Sequence, residues 1–177
     1  MPRINVIGTS GAGKSTFARR LAAALQTPHI ELDSLNWEPG WVEVHPDVFR
    51  RRILDAVSGD SWVVDGNYRI GREIVWPIAD TLVWLDYSLP RVLWRSVKRS
   101  FIRIIKRELC CNGNRESVRR ALSRDSIILW VWKTHGSRRD NFCRLLPTLA
   151  GEKTKVFVLK SPKEAELWLR DFISNGN

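Results

Sequence analysis

Gly8-Thr9-Ser10-Gly11-Ala12-Gly13-Lys14-Ser15-Thr16 is the stretch whose reading decides the fold. It fits G-x-x-x-x-G-K-[ST] completely. Its flanks fit too. Arg3 to Ile7 reads as a buried strand before it, and Lys14 to Gln26 as a helix behind it with Phe17, Leu21 and Leu25 on one face. Gly8, Gly11 and Gly13 permit a tight turn and leave room for a phosphate where a side chain would intrude. The backbone between Gly8 and Ser15 turns N–H groups inward, and the helix start adds partial positive charge at the same place. Lys14 supplies a point charge for β- and γ-phosphates, and the Ser15 hydroxyl suits Mg²⁺, which takes few protein ligands. The spacing is not G-x-G-x-x-G, so a nicotinamide enzyme is not expected. The stretch calls for a nucleoside triphosphate, ATP with Mg²⁺, and is silent about what becomes of the phosphate.

Outward from this loop, strands and helices alternate. Pro28 to Leu32, Ser61 to Val64, Asp80 to Asp86 and Lys155 to Leu159 read as strands. Pro46 to Val57, Pro90 to Arg107 and Pro162 to Ile173 read as helices, and Glu116 to about Leu146 as a helical stretch broken near Gly136. Strands separated by helices imply right-handed crossovers and an α/β fold, a parallel sheet covered on both faces. The 177 residues make one domain. An apolar fraction of 44% and a charged fraction of 27% exclude a disordered chain. The longest apolar run, Ile127 to Trp132, is far short of the roughly 20 residues of a spanning helix, so no membrane partner is expected. No secretory signal is visible, and the three cysteines lack CxxC spacing. Both features point to the cytoplasm.

In such a sheet, ligands sit off the carboxyl ends of strands. Asp65 closes one strand and can hold a magnesium-bound water beside the loop; the alternative is an ordinary strand-end turn. Asp33 follows the second strand and can contact an acceptor hydroxyl, even as its base; an N-cap or turn Asp is the alternative. Asp86 reads as a turn residue. Trp37 and Trp41 flank Glu38-Pro39-Gly40 after Asp33, where one of them can stack on an acceptor ring or simply anchor the loop. The other tryptophans, Trp62, Trp84, Trp94, Trp130, Trp132 and Trp168 among them, read mostly as core. His29, His45 and His135 show no ligand spacing and receive no role.

Charge is uneven. The net charge is +10, but twelve Arg and three Lys against four acidic residues between Arg91 and Arg144 leave +11 there and −1 elsewhere. Such a cluster expects phosphates, on a nucleotide or on a nucleic acid. Arg91, Arg95, Arg99 and Arg103 recur every four residues along one helix, and guanidinium groups stabilise charge moving among phosphoryl oxygens. Arg138 and Arg139, placed after a helix ending near Gly136, are further candidates to close over phosphate. The alternative for any one arginine is a solvated helix face.

The phosphate loop, Leu32 to Trp41, Trp62 to Tyr68 and Ala79 to Asp86 together resemble the bacterial proteins labelled DNA topology modulation protein (FlaR-like), P-loop relatives of the adenylate kinases. The resemblance implies a nucleoside-kinase-like core with a five-stranded parallel sheet in order 2-3-1-4-5 and an arginine-bearing helical lid. On that view 1–90 and 145–177 form the core and 91–144 the basic lid region. Asp65-Gly66-Asn67-Tyr68-Arg69 sits where adenylate kinases carry Asp-Gly-Phe-Pro-Arg, which implies Asp65 near magnesium and Arg69 on an acceptor phosphate. Asn67-Tyr68 in place of Phe-Pro, and a short tryptophan-bearing acceptor segment, depart from an adenosine monophosphate site.

The leading expectation is an ATP- and Mg²⁺-dependent phosphotransferase acting on a nucleotide or other small acceptor. Lys14, Asp33, Asp65, Arg95 and Arg99 are the catalytic candidates. The loop residues Gly8, Ser10, Gly11, Ala12, Gly13, Lys14, Ser15 and Thr16, with Arg138, would hold nucleotide. Asp33, Trp37, Trp41 and Arg69 would hold acceptor, and Ser15 and Asp65 the metal. The alternatives are a nucleic-acid-associated ATP-binding protein, with the basic segment on DNA, and a regulatory ATPase.

Overall fold

The computed structural model describes residues 2–106, 109–110, 112–115, 126–151 and 153–174. The chain runs β1 (Arg3–Gly8), α1 (Lys14–Ala24), β2 (His29–Glu31), α2 (Leu32–Asn36), β3 (Trp37–Glu38), β4 (Val42–Glu43) and α3 (Pro46–Ala56). It continues as β5 (Trp62–Asp65), α4 (Arg69–Val75), a 3₁₀ turn (Trp76–Ile78), β6 (Thr81–Leu85), α5 (Leu89–Lys106) and β7 (Leu109–Cys110). Beyond these lie β8 (Asn114–Arg115), α6 (Ile127–Leu149), β9 (Lys155–Leu159) and α7 (Pro162–Ser174).

The central sheet is parallel, in the order β2-β5-β1-β6-β9. Counted among themselves, its strands lie 2-3-1-4-5, as expected. β1 is buried on both faces because its residues are apolar in both alternating sets. Ile4 and Val6 join a core with Phe17, Leu21, Val83 and Leu169. Ile7 joins the opposite core with Phe49, Ile53, Trp62 and Trp84. The one polar residue inside the strand, Asn5, is satisfied there: its amide donates to the Val64 carbonyl at 3.1 Å and accepts from Trp76 Nε1 at 2.9 Å. β1 has β5 on one side and β6 on the other, so the chain reverses its direction of travel across the sheet beside it. That crevice, off the strand ends, is where α/β sheets bind ligands.

The structure corrects several expectations. No break occurs at Gly136: α6 is continuous from Ile127 to Leu149. Ser126 starts it, its hydroxyl accepting from Ile128 N at 3.2 Å, while residues 116–125 lie outside the described residues. A glycine costs a helix about 1 kcal/mol. Burial of Val131, His135, Phe142 and Leu146 on one face outweighs that. Arg138 and Arg139 therefore sit mid-helix, and Phe142 of the basic region joins the core beside Leu146.

Not all the helical tryptophans are core. Trp94 and Trp132 are 67% and 64% exposed. α5 buries Val92, Ser96 and Ser100, which leaves Trp94, Phe101 and Ile105 on its far side. Asp86 is more than a turn residue: its buried carboxylate takes Arg139 Nε at 2.9 Å and 3.1 Å, tying the end of β6 to α6. His135, buried, donates from Nε2 to the Tyr87 carbonyl at 3.0 Å.

Candidate active site

The loop after β1 is packed so closely that only glycine fits at its turns. Gly11 has φ +85°, and a Cβ there would lie 2.3 Å from Ser96 Oγ and 2.5 Å from the Val92 carbonyl. Gly13, with φ +93°, forms the left-handed cap of α1. A Cβ on it would lie 2.8 Å from Arg95 Nη2. Helix α5 thus lies directly on the loop. Ser96 Oγ reaches the Ser10 carbonyl at 3.5 Å, and Arg99 Nη2 donates to Ser10 Oγ at 3.2 Å. The four-residue spacing puts both Arg95 and Arg99 on the face that meets the loop. Ala12 is buried, its N–H bonded to the Thr9 carbonyl at 3.1 Å. Gly8 is buried at the start of the loop, and Thr16 is exposed on α1.

Lys14 Nζ rests 3.4 Å from the Thr9 carbonyl. Burial pushes its ammonium below the ordinary lysine value; Asp33 and Asp65 pull it back up, and Arg99 and Arg138 push it further down. Four charged groups from four different elements therefore converge on it. Ser15 Oγ donates to Asp65 Oδ1 at 3.0 Å. Asp65 is 2% exposed at the end of β5, and its other oxygen, Oδ2, takes His29 Nε2 at 2.6 Å. Among the described residues no cluster of three His, Cys, Asp or Glu could hold a metal.

Asp33 lies in the first turn of α2, not at its N-cap, which is Glu31. Its Oδ1 accepts from the Tyr68 hydroxyl at 2.7 Å, and that hydroxyl accepts from Trp37 Nε1 at 3.2 Å. Burial and the Asp33 carboxylate hold the Tyr68 phenol far above its ordinary value, so it stays a donor. Trp37 and Trp41 meet edge to face at 5.6 Å across the β3–β4 hairpin. Trp41 has φ +62°, an unusual conformation for a large residue. Its N–H donates to Asn114 Oδ1 at 2.8 Å, while Asn114 Nδ2 donates to the Glu38 carbonyl at 2.9 Å. Asn112 Nδ2 donates to the Ser34 and Trp37 carbonyls, each at 2.7 Å. The Asn112-Gly113 turn, both residues with positive φ, suits the tight β7–β8 hairpin. A hairpin from the basic region thereby clasps the segment that carries Asp33.

The two arginines of α4 diverge. Arg69 is 85% exposed and pairs with Glu73 at 3.2 Å. Arg72 is half-buried, stacked 5.5 Å from the Trp76 ring centroid, with a buried Nε that has no hydrogen-bond partner among the described residues. Arg138 stacks 4.0 Å from the Trp130 ring centroid. Burial and then Arg72 lower Arg138, and burial and then Arg69 lower Arg72. The sequence reading missed His29, Tyr68, Arg72 and the two asparagines. Tyr68 stood within the quoted Asp65–Arg69 stretch, and an Asn-Gly turn signal marked the hairpin; nothing in spacing marked His29.

Solved structures share this architecture. A shikimate kinase from Bacteroides thetaiotaomicron superposes with a TM-score of 0.55 at 14% identity, covering 98% of this chain and 97% of that one. A gluconokinase from Sinorhizobium meliloti 1021 superposes with a TM-score of 0.53 at 19% identity, covering 98% and 94%. The fold is a P-loop kinase fold. No family model and no curated protein matches the chain. Within this P-loop kinase fold, no described helix is long and apolar enough to cross a membrane.

Proposed function

We propose that the protein transfers a phosphoryl group from a nucleoside triphosphate to a hydroxyl of a small acceptor, with Mg²⁺. The carrying observation is the Trp37–Tyr68–Asp33 chain of hydrogen bonds beside Lys14. It orients a carboxylate toward the charge that would hold the transferred group. The phosphate loop suits a triphosphate, since glycine at 11 and 13, where a Cβ would strike Val92, Ser96 and Arg95, lets the arginine-bearing face of α5 lie on the loop beside Lys14. Ser15 and Asp65 offer the hard oxygen donors that Mg²⁺ takes when few protein ligands are available. Bound there, the metal would neutralise developing phosphate charge.

Asp33 takes the acceptor's hydroxyl proton as its oxygen bonds to the γ-phosphorus and the bond to the bridging oxygen breaks, leaving a nucleoside diphosphate and a phosphate ester. Lys14, Arg95 and Arg99 hold the phosphates in place and stabilise the charge. Trp37 and Trp41 wall the acceptor side. Arg72 and Arg138 form no ion pair with a carboxylate among the described residues. They favour an acceptor that itself carries an anionic group, Arg72 rather than Arg69 being turned inward. Both named structural neighbours are kinases of small molecules, which supports the reading.

The FlaR-like kinship remains part of this proposal. The nucleic-acid alternative gains nothing here, because Arg99 and Arg139 of the basic segment are hydrogen-bonded within the protein and Arg95 lies against the phosphate loop. The test is release of nucleoside diphosphate from ATP·Mg²⁺ across a panel of nucleoside monophosphates and small hydroxy acids. Acceptor-dependent release identifies the substrate. A flat scan, with water as sole acceptor, sinks the kinase reading in favour of an ATPase.

A further inference from the structure

We infer that His29 is a positioning residue for Asp65, and through it for the metal side of the phosphate loop. The inference rests on the proposed Mg²⁺-dependent site. β2 lies at the edge of the sheet and, among the described residues, pairs with β5 alone, with His29 opposite Val63 and Glu31 opposite Asp65. Side chains alternate along a strand, so His29, Val63 and Asp65 project from the same face of the sheet. His29 is the diagonal neighbour of Asp65, within reach of a long side chain.

The contact is short and direct. His29 Nε2–H donates to Asp65 Oδ2 at 2.6 Å, and Ser15 Oγ–H donates to Oδ1 at 3.0 Å. One carboxylate, 2% exposed, is therefore held at both oxygens by side chains from β2 and α1. Neither bond alone fixes the carboxylate plane; together they do. The hydroxyl that would meet the metal is the one that Asp65 anchors. A shift of Asp65 therefore moves Ser15 as well.

A merely structural histidine would support the β2 edge without affecting metal binding. Edge strands of this length carry little packing, and the hydrogen bond that the His29 side chain makes among the described residues goes to Asp65. What distinguishes it is its short contact with the Asp65 carboxylate. Groups that orient a metal-facing carboxylate typically cost 10- to 100-fold in metal affinity when removed.

Mn²⁺ binding, read by electron paramagnetic resonance in the presence of ADP, tests this without turnover. Wild type is expected to bind Mn²⁺·ADP. His29→Ala is expected to weaken Mn²⁺ by about tenfold or more, with ADP affinity in EDTA unchanged. His29→Gln carries an N–H donor of similar reach and is expected to recover most of the affinity. Equal Mn²⁺ affinity in wild type and His29→Ala, with both melting cooperatively, overturns the inference while leaving the proposed function standing. If His29→Ala fails to fold, His29→Gln decides: loss of Mn²⁺ affinity equal to that of Ser15→Ala in a folded protein overturns the donor role. Wild type that binds ADP but no Mn²⁺ overturns both readings.

Discussion

The loop from Gly8 to Ser15 and the segment from Asp33 to Glu43, which is the proposed acceptor side, meet at Lys14, yet they are built on opposite principles. The loop is contiguous. Its shape comes from glycines whose substitution would strike Ser96, Val92 or Arg95, and its chemistry comes from two adjacent residues. The acceptor segment is assembled from afar. Its Asp33 is oriented by Tyr68, 35 residues on, and its Trp41 is held by Asn114, 73 residues on. Nucleotide phosphates are the same in every nucleoside triphosphate, so one local motif can serve them. An acceptor is particular, and the segment proposed to receive it is held by long-range contacts and not by one local motif.

Breaking the loop should therefore cost the most. Lys14→Ala removes the ammonium on which the charges of Asp33, Asp65, Arg99 and Arg138 act. We expect turnover to fall by about 10³-fold or more, with the melting curve little changed, because the side chain contributes charge rather than core packing. Steady-state kinetics beside a thermal melt measure both. Turnover kept within a few-fold removes Lys14 from the phosphate side.

On the acceptor side the corresponding change is Asp33→Asn, isosteric but unable to take a proton. The expected loss in turnover is about 10²-fold or more, with ATP affinity by calorimetry unchanged. A loss of ATP affinity of similar size instead moves Asp33 from the acceptor to the nucleotide, and erases the contrast between the two regions.

Tyr68→Phe sharpens the comparison further. It leaves the ring against Phe49, 5.1 Å away edge to face, and deletes only the hydroxyl between Trp37 and Asp33. A hydrogen bond to a charged group contributes roughly 1.5–3 kcal/mol. We expect about a tenfold or greater loss in kcat/KM for the acceptor and none in KM for ATP. Equal effects on the two substrates show that the tyrosine supports the whole site and not one side of it.

The same contrast explains what could be read from the chain. The fold was legible because β1, the glycine loop and α1 are local, and because apolar strands alternate with capped helices. Gly13, Lys14 and Ser15 could be placed from spacing alone. Tyr68 and Asn114 could not, since their partners are chosen by topology: β2 must lie beside β5 before Tyr68, just past the end of β5, can reach Asp33 on α2. His29 was passed over for the same reason. Metal-ligand spacing is a local signal, whereas its carboxylate partner lies on the neighbouring strand. Arg69 and Arg72 differ by less than one helical turn, and only the orientation of α4 decides which of them turns inward. Gly136 misled in the other direction, a local breaker overridden by burial on either side of it.

The smallest expected effect lies away from both regions and serves as their control. Arg20, on α1, forms a two-pronged contact with Glu166 of α7 at 2.7 Å and 3.0 Å. Arg170 adds a third at 3.3 Å. The Arg20 hydrogen bonds hold the Glu166 carboxyl down to about 2, from an ordinary value of 4.5. A depressed carboxylate contributes stability that is complete above its unfolded value and is lost as pH falls through its folded one. Wild type should therefore exceed Glu166→Gln in urea midpoint by a small, constant margin from neutral pH down to about 4.5, and that margin should close as pH approaches about 2. The margin stays small because both side chains are partly exposed and solvent screens the pair. Acceptor and nucleotide kinetics should be untouched. A change in either would mean that the α1–α7 contact reaches the phosphate loop through α1, and the two halves of the site would then share a support that their construction does not suggest.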